Sequence, residues 1–225
     1  MSNQNSIEQK LSKLWGEIPK EKLVAVSKYS PVEDIITAYN FGQRNFGENR
    51  LNDLLEKSSQ LKRLKDISWH FIGNLQSNKL NKLLTVNNLD YIHSIDSMKL
   101  LQKLIIQVGS SSNKINFFLQ VNTSKEVEKN GVSSFEELIP LVEYYLQNKT
   151  ENCNLAGLMT MGRIRTDNLL KNAETSYSNL TKMKEKLEKQ FNLSPLKLSM
   201  GMSQDYQVAI QYHADFIRIG SYIFK

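Results

Sequence analysis

Eight short apolar or β-branched runs recur along this 225-residue chain, each followed by a longer amphipathic stretch, and that alternation leaves few folds open. The runs cover 23–27, 43–46, 68–72, 91–94, 116–122, 155–160, 196–200 and 216–219. Between them the spacing predicts helices over 32–39, 50–65, 77–84, 97–108, 134–148, 169–190 and 203–212. Strands separated by helices pair in parallel, and eight such units close a ring, so the expected fold is α/β, a (β/α)8 TIM barrel spanning 1–225. The competing fold, an open doubly wound sheet, needs a Gly-rich turn after its first strand to seat a dinucleotide. Here Leu23-Val24-Ala25-Val26 runs through Ser27 into Lys28-Tyr29-Ser30-Pro31, where proline opens a helix instead. The most polar stretch, Ser110-Ser111-Ser112-Asn113-Lys114, is the length of a loop rather than a linker, so one domain is expected. An amphipathic segment at 7–15, inside an extension covering 1–20, precedes the first strand. No helix is expected after the last strand, and the leading helix is expected to cover the gap this leaves.

Composition narrows the function classes. The net charge of +6 comes from 29 Lys and Arg against 23 Asp and Glu. A balance of this size fits nucleic acid, an anionic ligand, or ordinary solvation, and the distribution decides. In Lys182-Met183-Lys184-Glu185-Lys186-Leu187-Glu188-Lys189 the lysines alternate with acids on a wet helical face. There is no basic arm and no aromatic–basic repeat, and His70, His93, His213 and Cys153 have no zinc-ligand spacing, so neither nucleic acid nor a metal is expected. No apolar stretch is long enough to span a bilayer, and Met1-Ser2-Asn3-Gln4-Asn5 has no secretory character, which predicts a cytoplasmic protein. The lone Cys153 is expected to be buried as a small hydrophobe.

Chemistry in such a barrel sits over the carboxyl ends of the strands. Lys28 stands just beyond the first strand, where burial would strip hydration from an ammonium and favour the free amine, a group that forms Schiff bases. Solvation of an ordinary surface lysine is the alternative. Phosphate is commonly held by the loops after strands seven and eight. Here those loops are Ser199-Met200-Gly201-Met202-Ser203 and Gly220-Ser221, rich in backbone donors and hydroxyls, though glycine and serine also occur in any turn. In Phe216-Ile217-Arg218-Ile219-Gly220 the strand period puts Arg218 on the inward face with Phe216. A buried guanidinium needs an acceptor: either a ligand or an inward carboxylate such as Glu48. The other strand-end clusters, Gly47-Glu48-Asn49, His70 with Gly73-Asn74-Leu75-Gln76-Ser77-Asn78-Lys79, Asn122-Thr123-Ser124 and Met159-Thr160-Met161-Gly162, are consistent with loop structure alone. His70 reads as a satisfied core histidine and Met159 and Met161 as space-fillers.

Taken together, Ala25-Val26-Ser27-Lys28, Phe46-Gly47-Glu48-Asn49, Trp69-His70-Phe71-Ile72-Gly73-Asn74-Leu75-Gln76-Ser77-Asn78-Lys79, Leu198-Ser199-Met200-Gly201-Met202-Ser203 and Arg218-Ile219-Gly220 resemble the YggS/PROSC family of pyridoxal phosphate homeostasis proteins. The match runs from about Leu23 to Phe224. The resemblance implies a barrel like the amino-terminal domain of alanine racemase, with pyridoxal 5′-phosphate held as an internal aldimine on Lys28. It implies a phosphate cup at Ser199, Gly201, Met202, Ser203, Gly220 and Ser221, Arg218 near the pyridine nitrogen, and Asn49 beside the cofactor. Lys129 matches a family motif as a second amine. The chain departs from the pattern in having Ser221 where threonine is frequent, and in ending at Lys225 without the usual few further residues.

An arginine at the pyridine nitrogen keeps its own protons and donates only a hydrogen bond, so the ring stays a weak electron sink and transamination is disfavoured. Racemisation needs a second acid/base opposite the lysine, which related racemases take from a separate β domain beyond the length of this chain. The expected function is therefore a carrier and regulator of pyridoxal 5′-phosphate without robust catalysis, monomeric, serving pyridoxal phosphate-dependent apoenzymes or the enzymes that supply the cofactor. An amino-acid racemase using Lys28 with His70 or a tyrosine is the enzymatic alternative. A phosphate-sugar barrel enzyme lacking the covalent link is a third.

Overall fold

A computed structural model describes residues 3–111, 113–123, 130–162 and 168–225; Ser124 and Lys129 lie outside the described residues. Eight strands, β1 (Leu23–Val26), β2 (Asn45–Glu48), β3 (Ser68–Phe71), β4 (Leu89–Ile95), β5 (Ile115–Gln120), β6 (Cys153–Met159), β7 (Lys197–Met202) and β8 (Phe216–Ile219), form a closed barrel in sequence order. Every pairing is parallel, and β1 closes on β8 with Val24 opposite Arg218 and Ala25 opposite Ile219. The helices are α1 (Asn3–Trp15), α2 (Val32–Phe41), α3 (Leu51–Gln60), α4 (Leu80–Leu83), α5 (Met98–Gly109), α6 (Phe135–Asn148), α7 (Leu169–Phe191), α8 (Tyr206–Gln211) and α9 (Ser221–Phe224). The expected barrel is the one observed.

Strand alternation sorts the side chains into two layers. Val24, Phe118, Ala156, Met159 and Phe216 form an inner cluster, with Tyr91 and Met161 packed on it. Their strand neighbours Leu23, Ala25, Phe117, Leu119, Ile217 and Ile219 face outward into the larger strand–helix core. The helices present matching stripes: α7 buries Ala173, Ser176, Tyr177, Leu180 and Leu187, the three-and-four spacing of one helical face. Glu33 and Asp34 in the first turn of α2 complement its macrodipole. Ser134 accepts the Glu137 amide while Glu137 accepts the Ser133 amide, a reciprocal cap that starts α6. Cys153 is buried, and desolvation pushes its thiol up to about 12, so it behaves as a small hydrophobe.

The structure corrects the sequence reading in several places. A short helix, α9, does follow the last strand, and α1, with Ile7, Leu11 and Leu14 buried, packs against both α9 and α2. The second strand begins at Asn45 rather than at 43, because the buried Gln43 amide turns aside to donate to the carbonyls of Leu23 and Asn45. This moves Gly47 and Glu48 into the strand. The third helix stops at Gln60 rather than 65. The expected helix over 77–84 divides into a tight turn, Ser77–Lys79, and α4. The helix after β7 starts three residues late, at Tyr206, for a reason that belongs to the site. No helix among the described residues is long and apolar enough to cross a membrane.

Candidate functional site

β7, β8 and β1 are consecutive around the ring, and their carboxyl ends carry most of the candidate residues. Lys28 lies in the turn that leaves β1, where the Ser30 amide returns to the Ser27 carbonyl at 2.9 Å and Tyr29 adopts a left-handed φ of 67°. Ser27 is held at every polar atom. Its amide continues the ladder to the Gly47 carbonyl at 3.0 Å. Its hydroxyl donates to Glu48 Oε1 at 2.7 Å, and Lys57 Nζ, from α3, donates to its carbonyl at 2.8 Å. Lys57 also donates to the same Glu48 oxygen at 2.7 Å. The backbone just before Lys28 is thus clamped, while the Lys28 side chain is exposed, its Nζ 6.0 Å from the Tyr29 ring centre. Lys28 was expected to be buried, and it is exposed instead. The apolar run ends at Ser27, and the turn carries the next residue out into the mouth.

Glu48 is fully buried; desolvation pushes its carboxyl above the usual range, opposed chiefly by Lys57. Replacing Lys57 with methionine would leave that buried carboxylate without its cation, with only the Ser27 hydroxyl donating to it, and is expected to cost about 3 kcal/mol at pH 8. The loss should shrink toward pH 5, because a carboxyl whose folded-state pKa is raised takes up a proton as the pH falls and relieves the unpaired charge. Urea unfolding of Lys57→Met and wild type at the two pH values checks this; a loss below 1 kcal/mol at pH 8 would contradict the clamp. Asn49 follows β2 with its Oδ1 buried and unpartnered among the described residues. Gly73 packs against it so closely that a Cβ there would lie 1.9 Å from the Asn49 carbonyl oxygen.

Arg218 points into the barrel as the strand period predicts, 5 % exposed. Its Nη1 donates to Ser199 Oγ at 2.5 Å and its Nη2 to the Thr160 carbonyl at 2.8 Å. Glu48 is not its partner, being taken by Lys57 and Ser27. Burial lowers the guanidinium's pKa, while neighbouring Tyr177 and Asp205 oppose the shift. Burial, and then the Asp205 carboxylate, drive the Tyr177 hydroxyl upward.

The loop after β7 depends on two residues. Gly201 has φ 92°, and a Cβ there would sit 2.5 Å from Ala209 Cβ, so both conformation and space require glycine. Asp205, 3 % exposed, accepts the Met202 amide at 2.6 Å and returns its own amide to the Met202 carbonyl at 3.0 Å. This turn delays α8. The Met202 amide is thereby spent. The amides of Ser203 and Gln204 have no acceptor among the described residues, and neither do those of Ser221 and Tyr222 at the start of α9. Ser221 is exposed and Gly220 lies against the Val26 carbonyl. Ser199 is fully buried below this loop, its hydroxyl engaged by Arg218 and by His93 Nδ1 at 2.8 Å. Thr160 and Thr123 bond each other at 2.8 Å and brace the ends of β6 and β5.

His70 is the satisfied core histidine that was expected, bonded to His93 at 2.9 Å and stacked on Tyr91. Burial, then Lys197, lowers it to about 3, and burial holds His93 well below its usual value. A histidine whose folded-state pKa is depressed costs stability wherever the unfolded chain is protonated and the folded one is not. Stability should therefore fall as pH drops below about 6.5, by roughly 2 kcal/mol for each histidine between pH 8 and pH 5. The raised carboxyls Glu48, Asp90 and Asp96 act in the opposite sense. Denaturant midpoints across that range for wild type and for His70→Phe, which removes one histidine and keeps the three carboxyls, isolate the term; the same pH slope in both would contradict neutral burial.

Lys57, His93 and Asp205 escaped the sequence reading. Asp205 had a local signal, an acidic residue two positions past the serine of a Gly-Met-Ser turn. Lys57 and His93 had none, since their partners lie elsewhere in the chain.

The chain matches the model of the alanine racemase N-terminal domain family over residues 2–225. It is 38 % identical to the human pyridoxal phosphate homeostasis protein over 227 residues, covering 97 % of this chain and 82 % of that protein. It is 40 % identical to the Schizosaccharomyces pombe protein of the same name over 202 residues, 90 % of this chain and 82 % of that one. The structure of PipY from Synechococcus elongatus with PLP bound superposes with a TM-score of 0.86 at 30 % identity, covering 97 % of this chain and 100 % of that one. A closed parallel barrel, an amine at the end of its first strand, and likeness over most of the length of proteins of one name lead to a single conclusion: the chain belongs to the alanine racemase N-terminal domain family, and within it to the pyridoxal phosphate homeostasis proteins.

Proposed function

We propose that this protein binds pyridoxal 5′-phosphate, attached covalently at Lys28, and acts as a carrier that buffers the cofactor rather than as a robust catalyst. The observation that carries the reading is the convergence of an exposed amine, a buried guanidinium and two loops with unclaimed amides on three neighbouring strands. When bound, pyridoxal phosphate supplies an aldehyde that a primary amine can attack with loss of water, and a dianionic phosphate.

The residues present fit that group. Lys28 Nζ is reachable from solvent, and the clamp on Ser27 fixes where its side chain starts, so it is presented without being desolvated. The Ser203, Gln204, Ser221 and Tyr222 amides are donors without acceptors, as an anion cradle requires, with the Ser203 and Ser221 hydroxyls beside them. Gly201 and Met202 set the course of one loop and Gly220 that of the other, and Ser199 contributes from below by holding Arg218. Arg218 offers N–H donors to the ring nitrogen and has no proton to yield, which keeps the ring a weak electron sink. Asn49, whose buried Oδ1 has no partner among the described residues, stands at the end of β2, the strand next to β1.

The same reading puts the protein in the cytoplasm as a monomer that exchanges cofactor with pyridoxal phosphate-dependent apoenzymes or with the enzymes that supply it. The buried free thiol of Cys153 fits a reducing compartment. Mixing the protein with pyridoxal 5′-phosphate should give a visible absorbance band that borohydride bleaches, and no turnover of alanine or serine. A band that resists borohydride would refute covalent attachment. Racemisation abolished by Lys28→Ala would refute the carrier role.

A further inference from the structure

A line of hydrogen bonds runs through the barrel interior and ends on Arg218. Asn45 Oδ1 lies 3.3 Å from His70 Nε2, His70 Nδ1 lies 2.9 Å from His93 Nε2, and His93 Nδ1 lies 2.8 Å from Ser199 Oγ. Arg218 Nη1 meets the same Ser199 oxygen at 2.5 Å. Both imidazoles and the Ser199 side chain are fully buried. The rings are held in place by stacking, His70 on Tyr91 at 4.5 Å and His93 on Phe118 at 4.6 Å between centres, with Phe216 edge-on to both.

The chemistry of the end groups dictates where every proton lies. A guanidinium can only donate, so Ser199 Oγ accepts from Arg218. At the far end Asn45 Nδ2 is committed to the Glu21 carbonyl at 2.9 Å, so Asn45 Oδ1 accepts from His70 Nε2, and the direction runs back until the Ser199 hydroxyl donates to His93 Nδ1. His93 then carries its proton on Nε2 and gives it to His70 Nδ1. His70 likewise carries its proton on Nε2, facing the Asn45 carbonyl oxygen. Reversing either tautomer alone would set two donors or two acceptors against each other in a fully buried site. Burial agrees, since it disfavours a charge on either ring.

We propose that His93, with His70, Asn45 and Ser199, forms a polarised column that positions Arg218, fixing the plane of its guanidinium so that an N–H is aimed at the ring nitrogen of the cofactor. The inference rests on the reading of Arg218 as the group that meets that nitrogen. His93 is a positioning residue, acting through Ser199 and Arg218.

The column itself is tested without cofactor. Nitrogen NMR of the imidazoles in the unliganded protein should show His70 and His93 as neutral Nε2–H tautomers from pH 6 to pH 8, with exposed His213 as the solvent reference. An Nδ1–H tautomer or a charged ring at either position in that range overturns the proposal. Its positioning role is tested with pyridoxal 5′-phosphate as probe. His93→Phe keeps the ring and removes both hydrogen bonds, and Ser199→Ala removes the link alone. Each should shift the absorbance band and weaken binding by about tenfold. His93→Gln, which can accept from Ser199 and donate to His70, should restore both toward wild type. A folded His93→Phe or Ser199→Ala that binds and absorbs as wild type overturns the role. So does a Gln variant as impaired as the Phe variant, since the defect would then be one of packing. Arg218→Leu separates the two readings. If it is impaired while His93→Phe and Ser199→Ala are not, only the positioning role falls. If Arg218→Leu is itself silent, the reading of Arg218 at the ring nitrogen falls first and the column's purpose with it.

Discussion

Lys28→Ala should abolish covalent capture of pyridoxal 5′-phosphate outright, from one cofactor per chain to none, while leaving the fold within about 0.5 kcal/mol of wild type. The asymmetry follows from the geometry. The Lys28 side chain is exposed and supports nothing, whereas the backbone before it is gripped by Glu48, Lys57 and Gly47. Non-covalent binding should survive in part through the two loops and Arg218. Lys28→Arg keeps the positive charge but cannot condense with an aldehyde, so it should fail as completely as alanine and separate chemistry from electrostatics. Lys57 cannot stand in, because its ammonium is committed to Glu48 and to the Ser27 carbonyl and is only 11 % exposed. Borohydride trapping with denaturant midpoints for each variant checks both halves. A Lys28→Ala protein that still carries a covalently attached pyridoxyl group after reduction, or that unfolds, would contradict the assignment.

The largest effect on stability is expected far from the amine, at Gly157→Ala. Gly157 pairs with Lys197 across the β6–β7 seam, and a Cβ on it would lie 1.8 Å from the Lys197 carbonyl oxygen and 2.6 Å from its amide nitrogen. Both atoms are backbone in a closed ring, so neither can step aside without opening the seam. The cost should be about 4 kcal/mol or more, a fall in Tm of roughly 8–16 °C for a chain of this size, or loss of soluble protein. The same seam sets Ser199 opposite Met159 and so fixes the height of Arg218, which means any folded fraction should bind cofactor poorly. A thermal scan of the variant decides; a Tm within about 2 °C of wild type would mean that the strands are not in this register.

How far the residues alone disclosed this structure depended on whether the signal was local. The eight strands were legible because alternation within a strand and three-and-four spacing within a helix are short-range patterns, and closure followed from their number. Inward-facing Arg218 was legible for the same reason. Four-residue α9 was too short to carry any period. The start of β2 shifted because Gln43 bonds to Leu23, twenty residues earlier, which no window around position 43 reveals. Lys28 was singled out as a buried amine, and the structure shows it exposed. An apolar run marks a strand without saying where the chain leaves the barrel wall, and here a left-handed Tyr29 turns the lysine into the mouth. The loops after β7 and β8 were visible as Gly-Ser clusters. The supports beneath them, Lys57 for Ser27 and His93 for Ser199, join residues thirty and 106 positions apart and appear only once the ring is closed.

One measurement bears on all of this at once. Protein loaded with pyridoxal 5′-phosphate, reduced with borohydride, digested and analysed by peptide mass spectrometry should carry a pyridoxyl group on the peptide containing Lys28 and on no other. A reduced adduct on Lys57, on Lys129 or on any lysine but Lys28, or cofactor released wholly as the free alcohol, pyridoxine 5′-phosphate, with no peptide adduct, would contradict the central claim that the first strand of this barrel ends in the amine that holds the cofactor.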